Sequence, residues 1–238
     1  MKVLIIIPAY NEEQNIKNTV EKVLSVKNEN MDYVVINDGS TDKTLEILQQ
    51  EKYKFINLEK NLGIGGAVQT GYKYAYENDY DIAIQFDGDG QHNEEYLEFL
   101  IKEIENGNDL VIGSRFCEKT KASFTTTTSR KIGIKIISFV IKIFTGTKIT
   151  DPTSGLRACN KKIIEMFSKD YPKDYPEPVT TTRVLKKKLK VKEVPVIMNK
   201  REFGVSSINF LKSIDYMVKV TFAIIATSIK IKMESKND

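Results

Sequence analysis

Short runs of β-branched and aliphatic residues recur through the first half of the chain: "KVLIII" (2–7), "YVVIND" (33–38), "KFINLE" (54–59), "IAIQFD" (82–87) and "DLVIGS" (109–114). Where such a run is continuously apolar it reads as a strand buried on both faces. Between the runs the apolar period changes to that of a helix. Ile16, Val20, Val23 and Leu24 share one helical face, as do Leu45 and Leu48, and then Leu97, Leu100, Ile101 and Ile104. Strand and helix alternate, so the expected architecture is an α/β domain: a Rossmann-like, mainly parallel sheet flanked by helices. Ligands in such folds bind beyond the carboxyl ends of the strands, where Asp38, Asp87 and Asp89 all fall.

The second half is less regular. "KTKASFTTTTS" (119–129) has no apolar period and reads as a loop, whereas "RKIGIKIISFVIKIF" (130–144) spaces Lys131, Lys135 and Lys142 as a basic amphipathic helix would. "DYPKDYPEP" (170–178), with three prolines, predicts a loop or turn, and "VKEVPVIMNKR" (191–201) a late strand. The stretch 208–238 predicts a C-terminal amphipathic helix or helix pair, set apart from a main domain over 1–207.

Composition changes this picture little. The 238 residues are 41% hydrophobic and 29% charged, as expected of one large folded domain. The net charge of +4 is unevenly spread: the first 110 residues are acid-rich, while Lys and Arg crowd 115–148 and 183–201, which implies an anionic partner. Two cysteines without CxxC spacing imply a reducing, cytoplasmic setting. The apolar run before Pro8 is too short for a signal peptide and reads as a first strand. No stretch has the roughly 18 apolar residues of a membrane span, so any membrane contact would be peripheral.

"FDGDGQH" (86–92) is the chemically informative stretch. Asp87 and Asp89 are two apart in extended chain, so their carboxylates point the same way and can share one divalent cation, with substrate phosphates completing its shell. A bare DxD also forms Asx turns. The flanking glycines and a second acidic strand end at "NDGSTD" favour the site. His92, the only histidine, reads more readily as a packed support than as a ligand. "GIGGAVQTG" does not fit GxGxxG, because Val68 stands where the third glycine belongs, which excludes a dinucleotide site.

Taken in order, "IIPAYNEE" (6–13), "VINDGSTD" (35–42), "NLGIGGA" (61–67), "FDGDGQH" (86–92) and "GSR" (113–115) resemble family-2 glycosyltransferases of the GT-A fold, nearest the polyprenyl-phosphate sugar transferases of the dolichyl-phosphate mannose synthase-like branch. The resemblance runs from about residue 3 to about residue 209. It implies inverting transfer of a hexose from a nucleotide diphosphate sugar, UDP-sugar first and GDP-sugar second, with Mg2+ or Mn2+. By the same resemblance Pro8, Tyr10, Asn11 and Glu12 hold the nucleoside, and Asp38 contacts base or ribose. Gly65 and Gly66 let backbone approach the nucleotide. Asp87 and Asp89 bind metal and diphosphate, with Gln91 assisting.

A hydroxyl must lose a proton as it attacks and needs a general base, whereas a phosphate arrives ionised and needs arginines. Arg115 and Arg130 match positions that the polyprenyl-phosphate branch uses for the acceptor phosphate, and "EVPVIMNKREFGVSSI" (193–208) would add Arg201 and Ser206. Asp89, Arg115 and Arg130 are then the expected catalytic residues. Two departures matter. Where many relatives have an acidic pair, this chain has "YPEP", which leaves Glu177 as the base if the acceptor is a saccharide or wall-polymer hydroxyl. The long transmembrane tail of many relatives is also missing, so attachment to the inner face of the cell membrane would fall to 130–144 and 208–231, with a membrane partner protein or homo-oligomer open. A catalytically silent nucleotide-binding subunit is the reading from another class, and the presence of both Asp87 and Asp89 argues against it.

Overall fold

All five apolar runs become strands of one sheet. In the computed structural model, which describes residues 1–117, 128–199 and 210–237 (and not the side chains of 128–129, 210–215 and 234–237), they form β1 (Val3–Ala9), β2 (Met31–Asn37), β3 (Phe55–Asn57), β4 (Ile82–Gln85) and β5 (Leu110–Ser114). The intervening helices are α1 (Ile16–Val26), α2 (Thr44–Gln50), α3 (Gly63–Glu77) and α4 (Tyr96–Glu105). Beyond β5 come α5 (Thr128–Thr145), β6 (Arg157–Asn160), α6 (Lys161–Lys169), α7 (Pro176–Lys186), β7 (Val191–Pro195) and α8 (Phe210–Asn237).

The strands lie in the order β3-β2-β1-β4-β6-β5-β7. β6 runs antiparallel to β4 and β5, and every other pairing is parallel. Alternate residues of each central strand feed opposite faces. Val3, Ile5 and Ile7 of β1 pack with Ile16, Val20, Leu97 and Leu100, while Leu4 and Ile6 pack with Val68, Tyr72, Ile137, Ile163 and Val220. The second face carries α3, α5, α6, α7 and α8. On it, α8 packs against both α5 and α7, and Gly133 leaves no room for a Cβ beneath the Met217 sulfur.

Several sequence-based expectations change. Leu24 is 39% exposed and lies off the buried face of α1. Thr128 and Ser129 belong by backbone to the first turn of α5, and 118–127 lie outside the described residues. "YPEP" does not remain a turn. Pro176 fills the first position of α7, where an amide would have had no helical partner, and only 170–175 stay irregular. β6 and α6 were not expected. β6 is four residues long, and Asn160 closes it while its side chain accepts the Ile163 amide to cap α6. The boundary expected near 207 falls outside the described residues.

The two cysteines test this packing. Cys159 on β6 is fully buried, and burial pushes its thiol up from 9.0 to about 12, whereas Cys117 is half-buried. A raised thiol pKa contributes stability that is complete below the unfolded thiol's pKa and is lost as pH rises through the folded value. Native protein should therefore alkylate at Cys117 alone, Cys159 reacting only on unfolding, and stability should decline between pH 9.0 and about 12. Alkylation mapped by mass spectrometry checks this, and equal reactivity of both thiols in native protein would refute the packing.

Candidate functional site

Two loops at the carboxyl ends of β1 and β2 are stitched together by their own polar residues. Asn11 adopts a left-handed φ of 55°. Its amide donates to Ser40 Oγ at 3.0 Å, and its side-chain oxygen accepts the Thr41 amide at 2.8 Å. The Glu12 amide donates to Thr44 Oγ1 at 2.9 Å and the Glu13 amide to Asp42 Oδ2 at 3.0 Å. "YNEE" and "GSTD" thus form one rigid rim, with Pro8 buried below it and Tyr10 46% exposed above.

Asp38 is buried behind this rim, and its Oδ1 accepts the Leu62 amide at 2.7 Å, which ties the end of β2 to the start of α3. Burial raises its proton affinity, and the Leu62 and Gly63 amides oppose that rise. Gly65 packs closely against another part of the chain. A Cβ there would lie 2.2 Å from the Pro172 carbonyl and 2.5 Å from that of Lys173, so the backbone that approaches Gly65 is the chain's own. A Cβ on Gly66 would meet Leu62 of the preceding turn.

At the end of β4 the DxD motif is packed tightly. A Cβ on Gly88 would stand 2.8 Å from the Pro8 carbonyl, and Thr19 Oγ1 donates to the Gly88 carbonyl at 3.1 Å. Gly90 has φ +75°, a region that L side chains rarely enter. Those contacts explain the glycines that flank the aspartates. Gln85 Nε2 donates to Asp87 Oδ1 at 3.0 Å, and His92 Nε2 faces Asp87 Oδ2 at 3.2 Å. Burial pushes the Asp87 pKa up, but His92, Gln85 and the charge of Arg157 outweigh it and hold it below the ordinary value. His92 is 2% exposed and packs on Phe86, a support for Asp87 as its sequence context implied. Asp89 Oδ1 accepts the Gln91 amide at 3.1 Å, and Gln91 Nε2 donates to the Asn199 carbonyl at 3.3 Å.

Two groups enter from β6 and α7. Arg157, 1% exposed, faces Gln85 across the β4–β6 pairing. Glu177 lies in the first turn of α7, where burial foremost, and then the charge of Asp87, raise its pKa against Arg157 and Gln85. Expected as a base in a loop, Glu177 therefore stands on a helix beside Asp87. Tyr216 of α8 stacks edge-on against Tyr175 before α7, at 4.8 Å between centroids.

Arg115 and Arg130 form the cationic side. Arg115 is 5% exposed, and its Nε and Nη2 each donate to Asp151 at 2.7 Å in a bidentate pair, with Thr153 Oγ1 at 3.1 Å. Asp151 is itself held by Glu193 of β7, which accepts the Thr150 and Asp151 amides at 2.7 and 2.8 Å. Arg130 lies in the first turn of α5. Its side chain is exposed, yet desolvation by the protein around it and then the like charge of Arg115 lower its pKa, against Asp151, Tyr216 and Asp89. The structure thus brings Asp87, Asp89, Glu177, Arg115 and Arg130 to one end of the sheet. Arg201 and Ser206 lie outside the described residues.

Sequence reasoning missed Asp151, Glu193 and Arg157. Asp151 and Arg157 flank "PTSGL", a stretch that carries no local signal of the partners they find across the fold. Among the described residues no cluster of three or more His, Cys, Asp or Glu forms a ready metal cage. Two carboxylates and an amide oxygen at the end of β4 nevertheless fit a hard cation that takes most of its shell from substrate.

Three comparisons bear on this arrangement. The glycosyl transferase family 2 profile matches residues 4–167. The chain is 34% identical over 215 residues to the UDP-N-acetylglucosamine–dolichyl-phosphate N-acetylglucosaminyltransferase of Methanococcus voltae, covering 82% of this chain and 84% of that one. It is 30% identical to the undecaprenyl-phosphate mannosyltransferase of Micrococcus luteus, covering 88% of each. Among solved structures, glucosyl-3-phosphoglycerate synthase from Mycobacterium tuberculosis, in complex with Mn2+ and UDP, superposes with a TM-score of 0.67 over 97% of this chain and 79% of that one, at 16% identity, a likeness of fold. The chain is a glycosyltransferase of the GT-A fold and belongs to glycosyl transferase family 2.

Proposed function

We propose that the protein transfers a hexose from a nucleotide diphosphate sugar to the phosphate of a polyprenyl phosphate at a membrane surface. The observation that carries this reading is the position of Arg130. It sits in the first turn of α5 within electrostatic reach of both Arg115 and Asp89, and the outer face of the same helix is apolar and basic. Names of relatives add support: an archaeal relative is named for dolichyl phosphate and a bacterial one for undecaprenyl phosphate. A UDP-sugar is the favoured donor and a GDP-sugar the second.

In this reading an acceptor phosphate oxygen attacks the anomeric carbon as the bond from that carbon to the donor's diphosphate breaks. The electron pair leaves with the nucleoside diphosphate and the configuration inverts. The acceptor, with a second pKa near 6, needs no base. Arg130, with Arg115 behind it, neutralises and orients it. Asp87, Asp89 and the Gln91 side-chain oxygen would hold Mg2+ or Mn2+, which supplies charge neutralisation for the leaving diphosphate when bound. The rim formed by Tyr10, Asn11 and Glu12 would seat the nucleoside, with Asp38 beneath. Arg201 and Ser206 are carried as acceptor contacts on the resemblance alone. A second reading, transfer to a saccharide or wall-polymer hydroxyl, is favoured by one observation: Glu177, its pKa raised by burial, lies beside Asp87, where a base would act.

The membrane reading rests on exposed apolar side chains. Ile132, Ile136, Phe139 and Ile143 of α5 and Val218, Phe222, Ile229 and Met233 of α8 are each more than 40% exposed. Lys131, Lys135 and Lys142 are interleaved with the first set and also exposed. Among the described residues no helix is long and apolar enough to cross a membrane. Two packed helices with aromatic and basic outer faces suit an anionic bilayer surface, which we place at the inner face of the cell membrane.

Two measurements test these points. In transfer to a short-chain polyprenyl phosphate, assayed with UDP- and GDP-sugars, Glu177→Gln should cost less than about tenfold, because no base is removed, whereas Arg130→Gln should cost more than about tenfold through loss of a charge-assisted contact of roughly 1.5–3 kcal/mol. An inactive Glu177→Gln with an active Arg130→Gln, and transfer only to oligosaccharides, would establish the second reading. In sedimentation with anionic vesicles, Phe139→Ser with Phe222→Ser should weaken binding by roughly tenfold or more, since each buried ring contributes about 1.5–3 kcal/mol, and added salt should weaken it further. Unchanged sedimentation of the double variant contradicts the docking face.

A further inference from the structure

Among the described residues Arg157 is the largest fully buried side chain. Its guanidinium donates to five oxygens, and none belongs to a carboxylate. Nε reaches the Ser154 carbonyl at 2.6 Å and Nη2 the Pro152 carbonyl at 2.9 Å. Nη1 reaches the Glu177 carbonyl at 2.9 Å, Thr181 Oγ1 at 3.0 Å and Thr180 Oγ1 at 3.3 Å. Thr180 and Thr181 in turn donate to carbonyls of their own helix, at Pro176 and Glu177. One planar group thus binds the 152–154 loop on one side and the first turn of α7 on the other.

Each segment carries part of the site. Gly155 follows directly on the loop, and the Asp87 carboxylate rests on it so closely that a Cβ there would lie 2.1 Å from Oδ2. Glu177 rides on the turn of α7. Gln85, the cross-strand partner of Arg157, donates to Asp87 and also stabilises the ionised Glu177. A buried cation whose hydrogen bonds all go to neutral oxygens is costly unless anions stand near it. The anions within its reach are Asp87 and Glu177, which otherwise repel each other.

We propose that Arg157 is a positioning residue. By clamping the 152–154 loop to the start of α7 it sets the separation and orientation of Asp87 and Glu177 at the floor of the site. The clamp needs a planar fork with donors on two edges. A lysine can keep the charge but has three donors at a single point and cannot serve both segments at this spacing. Thr181 is the second half of the clamp, because its hydroxyl joins Arg157 to the Glu177 carbonyl.

The inference rests on the transfer reaction proposed above, and its test separates the two. Arg157→Lys and Thr181→Val are compared with wild type in sugar transfer, in thermal melting and in amide hydrogen exchange. Displacing site groups by about 1 Å costs on the order of a hundredfold in rate, so Arg157→Lys should lose about that much in turnover per folded molecule. Thr181→Val, close to isosteric and expected to fold, should lose about tenfold, one charge-assisted hydrogen bond. In both variants exchange should quicken together at 152–156 and 176–181 and stay unchanged in α1 and α4. Lower melting temperatures with wild-type kcat per folded molecule would show a purely structural role and overturn the proposal. Exchange that quickens in only one of the two segments, or throughout the chain, would overturn it as well. Wild-type protein inactive with every donor and acceptor would defeat the function reading, and the exchange result would still decide the clamp.

Discussion

A carboxylate at the end of a fully buried strand must be compensated, and much of this molecule is arranged around the compensation of Asp87. Gln85 and His92 take one oxygen each, Gly155 gives the group a surface to rest on, and the charge of Arg157 lies behind it. The antiparallel strand β6, inserted between β4 and β5, brings Arg157, and Gly155 just before it, to the end of β4. With Asp87 held at a pKa below its ordinary value, the end of β4 presents negative charge on a stiff support, as the proposed cation site requires.

The opposite wall is built by the same rule with the sign reversed. Arg115 is buried against Asp151, and Glu193 holds the backbone of Asp151 in place, so a cation and two anions are locked across β5 and β7. Breaking a buried pair of this kind costs about 3–5 kcal/mol, so Arg115 supports the wall as well as lending charge. Arg130 stands further out, on the helix whose outer face is apolar and basic. The site therefore grades from rigid and acidic at β4 to basic beside α5 and α8. A substrate with an anionic head and an apolar tail matches that gradient.

The fold was largely legible because continuous β-branched runs and helical periods are strong local signals: β1 to β5 and β7, and helices α1, α2, α4 and α5, stand where the pattern placed them, whereas α3, over the glycine-rich 63–77, was not assigned. β6 was not legible. Four residues between a glycine turn and a capping asparagine carry no period, and antiparallel insertion is a matter of tertiary pairing. Three prolines hid α7, although Pro176 and Pro178 both lie in its first turn, where amides have no helical partner to lose. At the site, the DxD pair and its glycines were readable, and the structure supplies the contacts that require those glycines. Arg157 and Asp151 were not readable, since their importance lies in burial and pairing across the sheet. Gly65 was noticed for close backbone approach, and the structure shows one such neighbour, the 172–173 backbone of the chain itself.

The central claim concerns which atom receives the sugar, and phosphorus NMR observes it directly. With the donor sugar nucleotide, a divalent cation and a short-chain polyprenyl phosphate, the monoester resonance of the acceptor should be replaced by a phosphodiester resonance as nucleoside diphosphate appears, in equal amounts. A monoester signal that persists while the sugar nucleotide is consumed and sugar appears on a hydroxyl acceptor would contradict the account.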